Sequence, residues 1–328
     1  MKKVKVLISG SGAVLGYGAT KLLNQYRGIE KLIVANTSKY FPARNYSSEY
    51  IITPDFYFEK SATEDEFIEF VLHFSIENGI NLIIPCSIFE LKAYARNLKR
   101  FNDSGILVFV ESEDLISAFF DKYETANRLT PIGNCSPVTG LLTESKNDLD
   151  KIEVPCIIKP RYGYGSNGIK VIKTEDDFFD WLKEKKDKYS PYIWQEYLTD
   201  IREEYSCSVL YDEDGKVFNT CIVRRLAMKT VTTEAIYDEE CRKIEPLIEE
   251  IATNIKGRYC LNFQFRMKGD KPYIFEINPR FGAAEAIRAE FGQDSYYMLM
   301  KKYFDVSKKQ STRYGRVIRS YKEEYLPL

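Results

Sequence analysis

Through the first third of the chain, short apolar runs alternate with stretches whose apolar positions recur every three or four residues. Residues 3–9, 32–35, 80–84 and 106–110 read as buried strands. Between them the turn Gly10–Gly18 leads into a helical pattern ending at Leu23. Phe67, Phe70, Val71 and Phe74 recur at helical spacing, and a further helix is predicted from Ile88 to Phe101. Strand, helix and strand in that order predict a doubly wound parallel sheet, in a unit closing near residue 118.

Beyond it the period changes. Residues 121–129 read as a helix stopped at Pro131, 156–160 as a strand, 163–168 as a tight loop, 169–172 as a return strand and 175–187 as a helix. Long alternating segments at 192–198, 204–211, 216–226, 258–267 and 272–279, with a helix at 240–256, predict an antiparallel α+β arrangement. The expected fold class is therefore α/β followed by α+β. No repeat, low-complexity linker or charge block interrupts it.

Composition narrows the chemistry. The 328 residues carry 47 Lys and Arg against 48 Asp and Glu, a net charge of -1, which gives no electrostatic case for a nucleic-acid or membrane partner. The sole histidine, His73, falls in a helical run and reads as structural. Multi-histidine metal sites are excluded, and a Ser-His or Cys-His mechanism would have to use that one residue. Seven scattered cysteines, none in a C-x-x-C pair and several within apolar runs, suit a reducing compartment. The amino terminus runs straight into a strand, too short in apolar length for a signal peptide, and no stretch approaches a transmembrane span. A cytoplasmic protein is expected.

Three segments carry candidate chemistry. On a strand, residues two apart share a face, so Glu276 and Asn278 in Tyr273-Ile-Phe-Glu-Ile-Asn-Pro-Arg280 point one way. Asn262, Gln264 and Arg266 do the same on 258–267. Two such strands side by side would offer oxygen ligands to a hard cation such as Mg²⁺, although a strand with one solvated face reads the same way. Asn-Pro-Arg after the strand favours the metal reading, because it places a fixed guanidinium beside the carboxylate. In Lys159-Pro-Arg-Tyr-Gly163-Tyr-Gly165-Ser-Asn-Gly168, alternating glycines let main-chain N–H groups converge on phosphate, with Lys159 at the preceding strand end. A simple turn is the plainer alternative. Residues 193–198 form a strand whose free edge could hold an adenine, followed by Glu204, which could hold ribose hydroxyls.

In this order, Lys122 in Phe-Asp-Lys-Tyr-Glu-Thr, Ile-Ile-Lys159-Pro with its glycine loop, Trp-Gln-Glu196-Tyr-Leu198, Asn-Phe-Gln264 and Phe-Glu276-Ile-Asn278-Pro-Arg280 resemble the ATP-grasp superfamily. The branch they are most similar to contains the large subunit of carbamoyl phosphate synthetase. The first unit, with Pro85-Cys-Ser-Ile-Phe-Glu90-Leu, looks like that branch's Rossmann-like pre-ATP-grasp domain. The resemblance implies three units: 1–118, a small lid subdomain at 119–192, and a large subdomain with the metal site at 193–328. It implies that Lys122 and Lys159 bind ATP phosphates under a lid formed by Gly163, Gly165 and Gly168. Glu196 and the Leu198 main chain would contact adenine, and Glu204 the ribose. Gln264, Glu276 and Asn278 would hold two Mg²⁺ ions. Arg280, with Lys159, would carry the charge of the transferring phosphoryl group. Gln264 stands where the wider superfamily more often has a carboxylate, which weakens that metal position.

The expected activity is an ATP-dependent carboxylate–amine (or ammonia) ligase working through an acyl phosphate on small-molecule substrates, with a homodimer left open. No glutaminase motif accompanies it. Arg224 and Arg225 point to opposite strand faces, so one of them at most enters the cleft. Arg266 and Arg288 are the other carboxylate clamps, and each of the four could instead pair with surface acids. Glu90 and Ser87 lie where open sheets bind ligands and could take the amine. Two other readings remain: an ATP-binding regulatory protein without catalysis, and an NAD(P)-linked oxidoreductase or epimerase. The glycines at 10, 12, 16 and 18 prompt the latter, but their spacing is one residue too long and Asn36-Thr-Ser replaces the ribose-binding acid.

Overall fold

The computed structural model describes residues 3–142, 152–163, 165, 167–185, 191–198, 203–228 and 231–320. Five parallel strands, β1 (Val4–Ser9), β2 (Ile29–Asn36), β3 (Glu49–Ile52), β4 (Leu82–Pro85) and β5 (Leu107–Val108), lie in the order β3-β2-β1-β4-β5. Their continuous apolar sequence follows from burial on both faces. Val6, Ile8, Val34 and Ile84 pack into one core with α1 (Val14–Leu23) and α10 (Ser295–Tyr303). Leu7, Ile33 and Ile83 pack into another with α2 (Glu64–Asn78), α3 (Leu91–Arg96) and α4 (Leu98–Asp103). α2 starts at a capping box, with Thr63 Oγ1 accepting from the Glu66 N–H at 3.2 Å and Glu66 accepting from the Thr63 N–H at 2.7 Å.

A four-stranded antiparallel sheet follows in the order β6-β9-β7-β8, from β6 (Thr139–Leu141), β7 (Cys156–Pro160), β8 (Lys170–Ile172) and β9 (Tyr192–Glu196). Phe178 and Trp181 of α7 (Glu175–Lys185) close its core with Ile158 and Trp194. The third sheet has six antiparallel strands: β10 (Glu204–Tyr211), β11 (Val217–Met228), β12 (Thr232–Tyr237), β13 (Cys260–Lys268), β14 (Lys271–Asn278) and β15 (Gly315–Ile318). Their order is β14-β13-β10-β11-β12-β15. α5 (Glu113–Phe120), α6 (Lys122–Leu129) and α8 (Glu239–Thr253) share its core. A short helix, α9 (Glu285–Glu290), follows β14. Among the described residues no helix is long and apolar enough to cross a membrane.

Several expectations change. The helix expected over 88–101 is two helices, broken at Asn97, whose side-chain amide donates to the Ala93 carbonyl at 2.9 Å. The run 106–110 keeps only two residues in strand, and β3, β6, β12, β15, α5 and α10 were not foreseen. His73 is not part of a core: it lies on the solvent face of α2, 79% exposed, with Glu77 at 3.5 Å. All seven cysteines are buried and free. The early glycine turn owes its composition to loops crowding each other. Gly10 has φ +62°, and a Cβ there would sit 2.3 Å from that of Ser87, while one on Gly12 would meet the Asn36 side chain at 2.7 Å.

Candidate active site

Between the four-stranded and six-stranded sheets lies a cleft of about 430 Å³. Lys122, Lys159, Gly163, Gly165, Glu196, Leu198, Glu204, Gln264 and Glu276 all line it, as do Arg225 and Arg266.

Lys159 comes from the four-stranded roof, and Lys122 from the start of α6, which packs against the floor. Lys159 stands near the end of β7, 5% exposed, and donates to Gln195 Oε1 at 2.8 Å and to the Phe275 carbonyl at 3.4 Å. Burial pulls its pKa down to about 8, against the upward pull of the Glu276 carboxylate. Lys122 opens α6 and donates to the Gly163 carbonyl at 2.7 Å, and burial lowers its pKa as well. Asp121, just before it, caps α6 by accepting from the Tyr123 and Glu124 N–H groups at 3.0 and 3.2 Å. The same carboxylate takes two hydrogen bonds from Arg161 at 2.8 and 2.6 Å. One acid thus ties the helix start to the glycine loop. In that loop Gly163, Gly165 and Gly168 all have positive φ. Gly168 lies against Pro160 and does not line the cleft.

The floor is β13 and β14. Gln264 is in register with Glu276, and Asn262 with Asn278. Asn262, Gln264 and Arg266 all reach the cleft, as the alternation predicts. Asn278 lies just behind, its amide donating to Glu276 Oε1 at 2.9 Å. A bulge interrupts the pairing: Gln264 opposes Glu276 but Phe265 opposes Ile274. Phe275 is the extra residue, so it and Glu276 both face the cleft, and its carbonyl is freed for Lys159.

The donor set here is one carboxylate and two amide oxygens, and among the described residues no group of three His, Cys, Asp or Glu side chains could hold an ion. Hard oxygen donors with so little charge fit a Mg²⁺ that shares its ligands with phosphate, and do not fit zinc.

The arginines separate. Arg225 is 8% exposed in the cleft, donating to Glu204 and, at 3.2 Å, to Gln264 Oε1. Burial pushes the Glu204 carboxyl up, while Arg225 and Arg266 pull it back. Arg224 points to the other face and pairs with Glu203 and Asp238. Arg288 is not a cleft residue. Its side chain is fully buried, donating to Glu285 at 2.7 Å, Ser206 at 2.7 Å and Asn262 at 2.8 Å, so its role is to fix Asn262 from behind. Arg280 turns away from the cleft lining, its guanidinium donating to the Phe281 carbonyl at 2.7 Å and its Nε buried without a partner. Glu90 is buried against Ser9 at the end of the parallel sheet, outside the cleft lining. Sequence reasoning passed over Gln195, Asp121 and Arg161. The cap position of Asp121 was the one available signal.

Residues 119–284 match the ATP-grasp domain, just over half of the chain. The chain belongs to the ATP-grasp family. The carbamoyl phosphate synthase large chain of Buchnera aphidicola is 24% identical over 252 residues, 71% of this chain and 22% of that protein. Its counterpart from Methanoculleus marisnigri is 22% identical over 313 residues, 84% of this chain and 28% of that one. The chain thus spans about a quarter of the length of these relatives. Among solved structures, the biotin carboxylase domain of Hydrogenobacter thermophilus 2-oxoglutarate carboxylase, in complex with MgADP, aligns over 96% of this chain and 74% of its own. Its TM-score is 0.69 at 14% identity. The ADP complex of Staphylococcus aureus N5-carboxyaminoimidazole synthetase aligns over 97% and 82%, with TM-score 0.68 at 17% identity. The fold of this ATP-grasp chain is that of its neighbours: a Rossmann-like parallel sheet followed by two antiparallel sheets around a cleft.

Proposed function

We propose that this chain is an ATP-dependent carboxylate–amine ligase that binds MgATP in the cleft. It would be organised as units 1–118, 119–192 and 193–328. The observation that carries the reading is the pair Lys159, buried, and Lys122, half-buried, across from Glu276 and hydrogen-bonded among the described residues only to neutral acceptors. A desolvated cation with neutral partners favours an anionic ligand.

In this reading Lys122 and Lys159 hold phosphate oxygens, and Gly163, Gly165 and Gly168 close over them as a lid to exclude water. Glu196 and Leu198 border the adenine. Glu204, balanced by Arg225 and Arg266, accepts from the ribose hydroxyls. Magnesium, two ions in this scheme, supplies positive charge at the phosphate oxygens when bound, and Gln264, Glu276 and Asn278 are the residues that would hold it. The substrate carboxylate attacks the γ-phosphorus, ADP leaves, and an acyl phosphate remains. The amine (or ammonia) then forms the C–N bond as phosphate departs with its electron pair. Lys159 offsets the charge that develops, so positioning and electrostatics supply most of the acceleration. The substrates are small molecules, and Arg225 and Arg266 are placed to clamp the carboxylate.

A screen of carboxylates crossed with amines, read by ADP release and product mass, tests the reading. Glu276→Ala should lower turnover at least about a hundredfold. Full activity in that variant would remove Glu276 from the phosphoryl-transfer site.

A further inference from the structure

The strands of the four-stranded sheet alternate like any others, and their parity decides what meets the cleft. Ile158 and Trp194 pack into the core closed by α7. Their chain neighbours Ile157, Lys159 and Gln195 therefore turn the other way and line the cleft. In register, Gln195 stands opposite Ile157 of β7 on one side and Thr139 of β6 on the other. Lys159 lies two residues beyond Ile157 on the same face, the diagonal across which long side chains still meet. Gln195 is only 3% exposed there, so a polar group has been placed in the wall of the site.

A buried amide has to satisfy both of its ends. Gln195 Oε1 accepts from Lys159 Nζ at 2.8 Å, and Gln195 Nε2 donates to Thr139 Oγ1 at 2.9 Å. The Thr139 hydroxyl in turn donates to the Pro137 carbonyl at 2.8 Å. All of these bonds run one way, from ammonium to amide to hydroxyl to carbonyl. The direction fixes the amide, because Lys159 can only donate and the Thr139 proton is committed to Pro137. Donors aligned in a chain also polarise one another, which tightens the hold on the ammonium. An ammonium has three N–H donors. Gln195 takes one, and the Phe275 carbonyl, freed by the β14 bulge, takes another at 3.4 Å. Among the described residues no acceptor takes the third.

We propose that Gln195 is the positioning residue of the phosphate site: it pins the Lys159 ammonium in the cleft wall, leaves one N–H for phosphate, and being neutral leaves the positive charge whole. This role rests on the MgATP reading of the cleft. Electrostatics explains why an amide suits the position. A carboxylate there would form a buried ion pair and offset the lysine charge before any anion arrived. An apolar side chain would release the lysine, whose rotamer freedom phosphate would then have to quench. Glu276, Lys122 and Glu204 are the other charged groups that act on Lys159. Glu276 and Lys122 act on it with opposite sign, so the neutral bracket of Gln195 and the Phe275 carbonyl sets where the ammonium sits.

Titration calorimetry with MgATP, paired with denaturant midpoints, tests the role in three variants. Gln195→Met keeps the length of the side chain and removes the acceptor, so MgATP affinity should fall about tenfold. Gln195→Glu should weaken MgATP at least as much while the midpoint holds. Its carboxylate should also move the fall of affinity above pH 8 upward by about one pH unit. Thr139→Val breaks only the far link of the chain, and a loss of about threefold is expected. A packing role alone would lower the midpoints and leave the pH profile where it is in the parent. Parent-like MgATP affinity in Gln195→Met overturns the positioning role and leaves the MgATP reading in place. An unmoved pH profile in Gln195→Glu overturns it as well. A parent protein that takes up no MgATP overturns the reading of the cleft and the role of Gln195 together.

Discussion

The two sheets that face each other across the cleft treat charge in opposite ways. The six-stranded floor balances its arginines internally: Arg225 with Glu204, Arg224 with Glu203 and Asp238, and Arg288 with Glu285. Lys159 of the roof, and Lys122 at the start of α6 with its ammonium on the roof's glycine loop, donate among the described residues only to an amide oxygen and main-chain carbonyls. Glu276 is the floor's exception, and its charge is felt by both lysines. The floor is thus preorganised by its own ion pairs, whereas the two lysines make no ion pair among the described residues, feel Glu276 only at a distance and gain a close counter-charge when an anion arrives. Stability and binding are divided between the two sheets, and this division can be broken experimentally.

The largest effect is expected on the floor. Arg288 and Glu285 have side chains 0% and 2% exposed, and Arg288 also holds Ser206, Ser208 and Asn262. Arg288→Met leaves the Glu285 charge buried and unpaired, a loss of roughly 3–5 kcal/mol, whereas Arg288→Met with Glu285→Leu should recover most of it. Lys159→Met on the roof removes a buried cation that has no carboxylate hydrogen-bond partner, so it should keep or raise the denaturant midpoint while MgATP binding is lost. Denaturation curves for the three variants decide the matter. Equal losses for Arg288→Met and Lys159→Met would erase the distinction between the sheets.

A smaller effect follows from the Lys159 pKa of about 8, which burial sets below the ordinary lysine value. Below pH 8 the free protein already carries the charge that phosphate needs. Above it the lysine is neutral, and binding must take up a proton. MgATP affinity should therefore fall up to about tenfold per pH unit above 8, until the pKa of the bound state is reached. Calorimetry at pH 9 in two buffers of different ionisation enthalpy should register proton uptake on binding. Lys159→Arg, which stays charged throughout, should flatten the profile.

The cleft was legible in the sequence where its chemistry lies within contiguous motifs and strand parity assigns the faces. Asn262, Gln264 and Arg266 reach the cleft because residues two apart share a face. Parity failed at Phe275, since a bulge depends on how two strands pair and leaves no trace in one strand's alternation. Arg288 was misplaced for a related reason. Its helical position says nothing about the small Ser206 and Ser208 on a distant strand that make room for its guanidinium. The Asp121–Arg161 tie joins residues 40 apart, and no periodicity reaches so far. In the fold, the buried parallel strands were readable from their apolar runs. Short strands such as β3 and β15, with exposed and half-buried residues only, carry too little pattern to be found.

The smallest effect tests parity at a single step along one strand. Arg224 and Arg225 are chain neighbours on β11, and only Arg225 lines the cleft. Arg225→Ala should weaken MgATP binding, because among the described residues Glu204 then keeps only Arg266, at 3.6 Å, and Gln264 loses the Arg225 donor at its oxygen. Arg224 sits 16% exposed between Glu203 and Asp238, which are themselves 42% and 31% exposed, so solvent already screens both partners. Arg224→Ala should therefore cost only about 1 kcal/mol of stability. Asp238 still caps α8 through the Cys241 N–H at 3.1 Å, which limits the damage to the ion pairs. MgATP affinity should stay within about twofold of the parent, a free-energy change well under 1 kcal/mol. Titrating MgATP into both variants reads the difference directly. If Arg224→Ala weakens binding as much as Arg225→Ala, the faces of β11 no longer separate a binding side from a structural one.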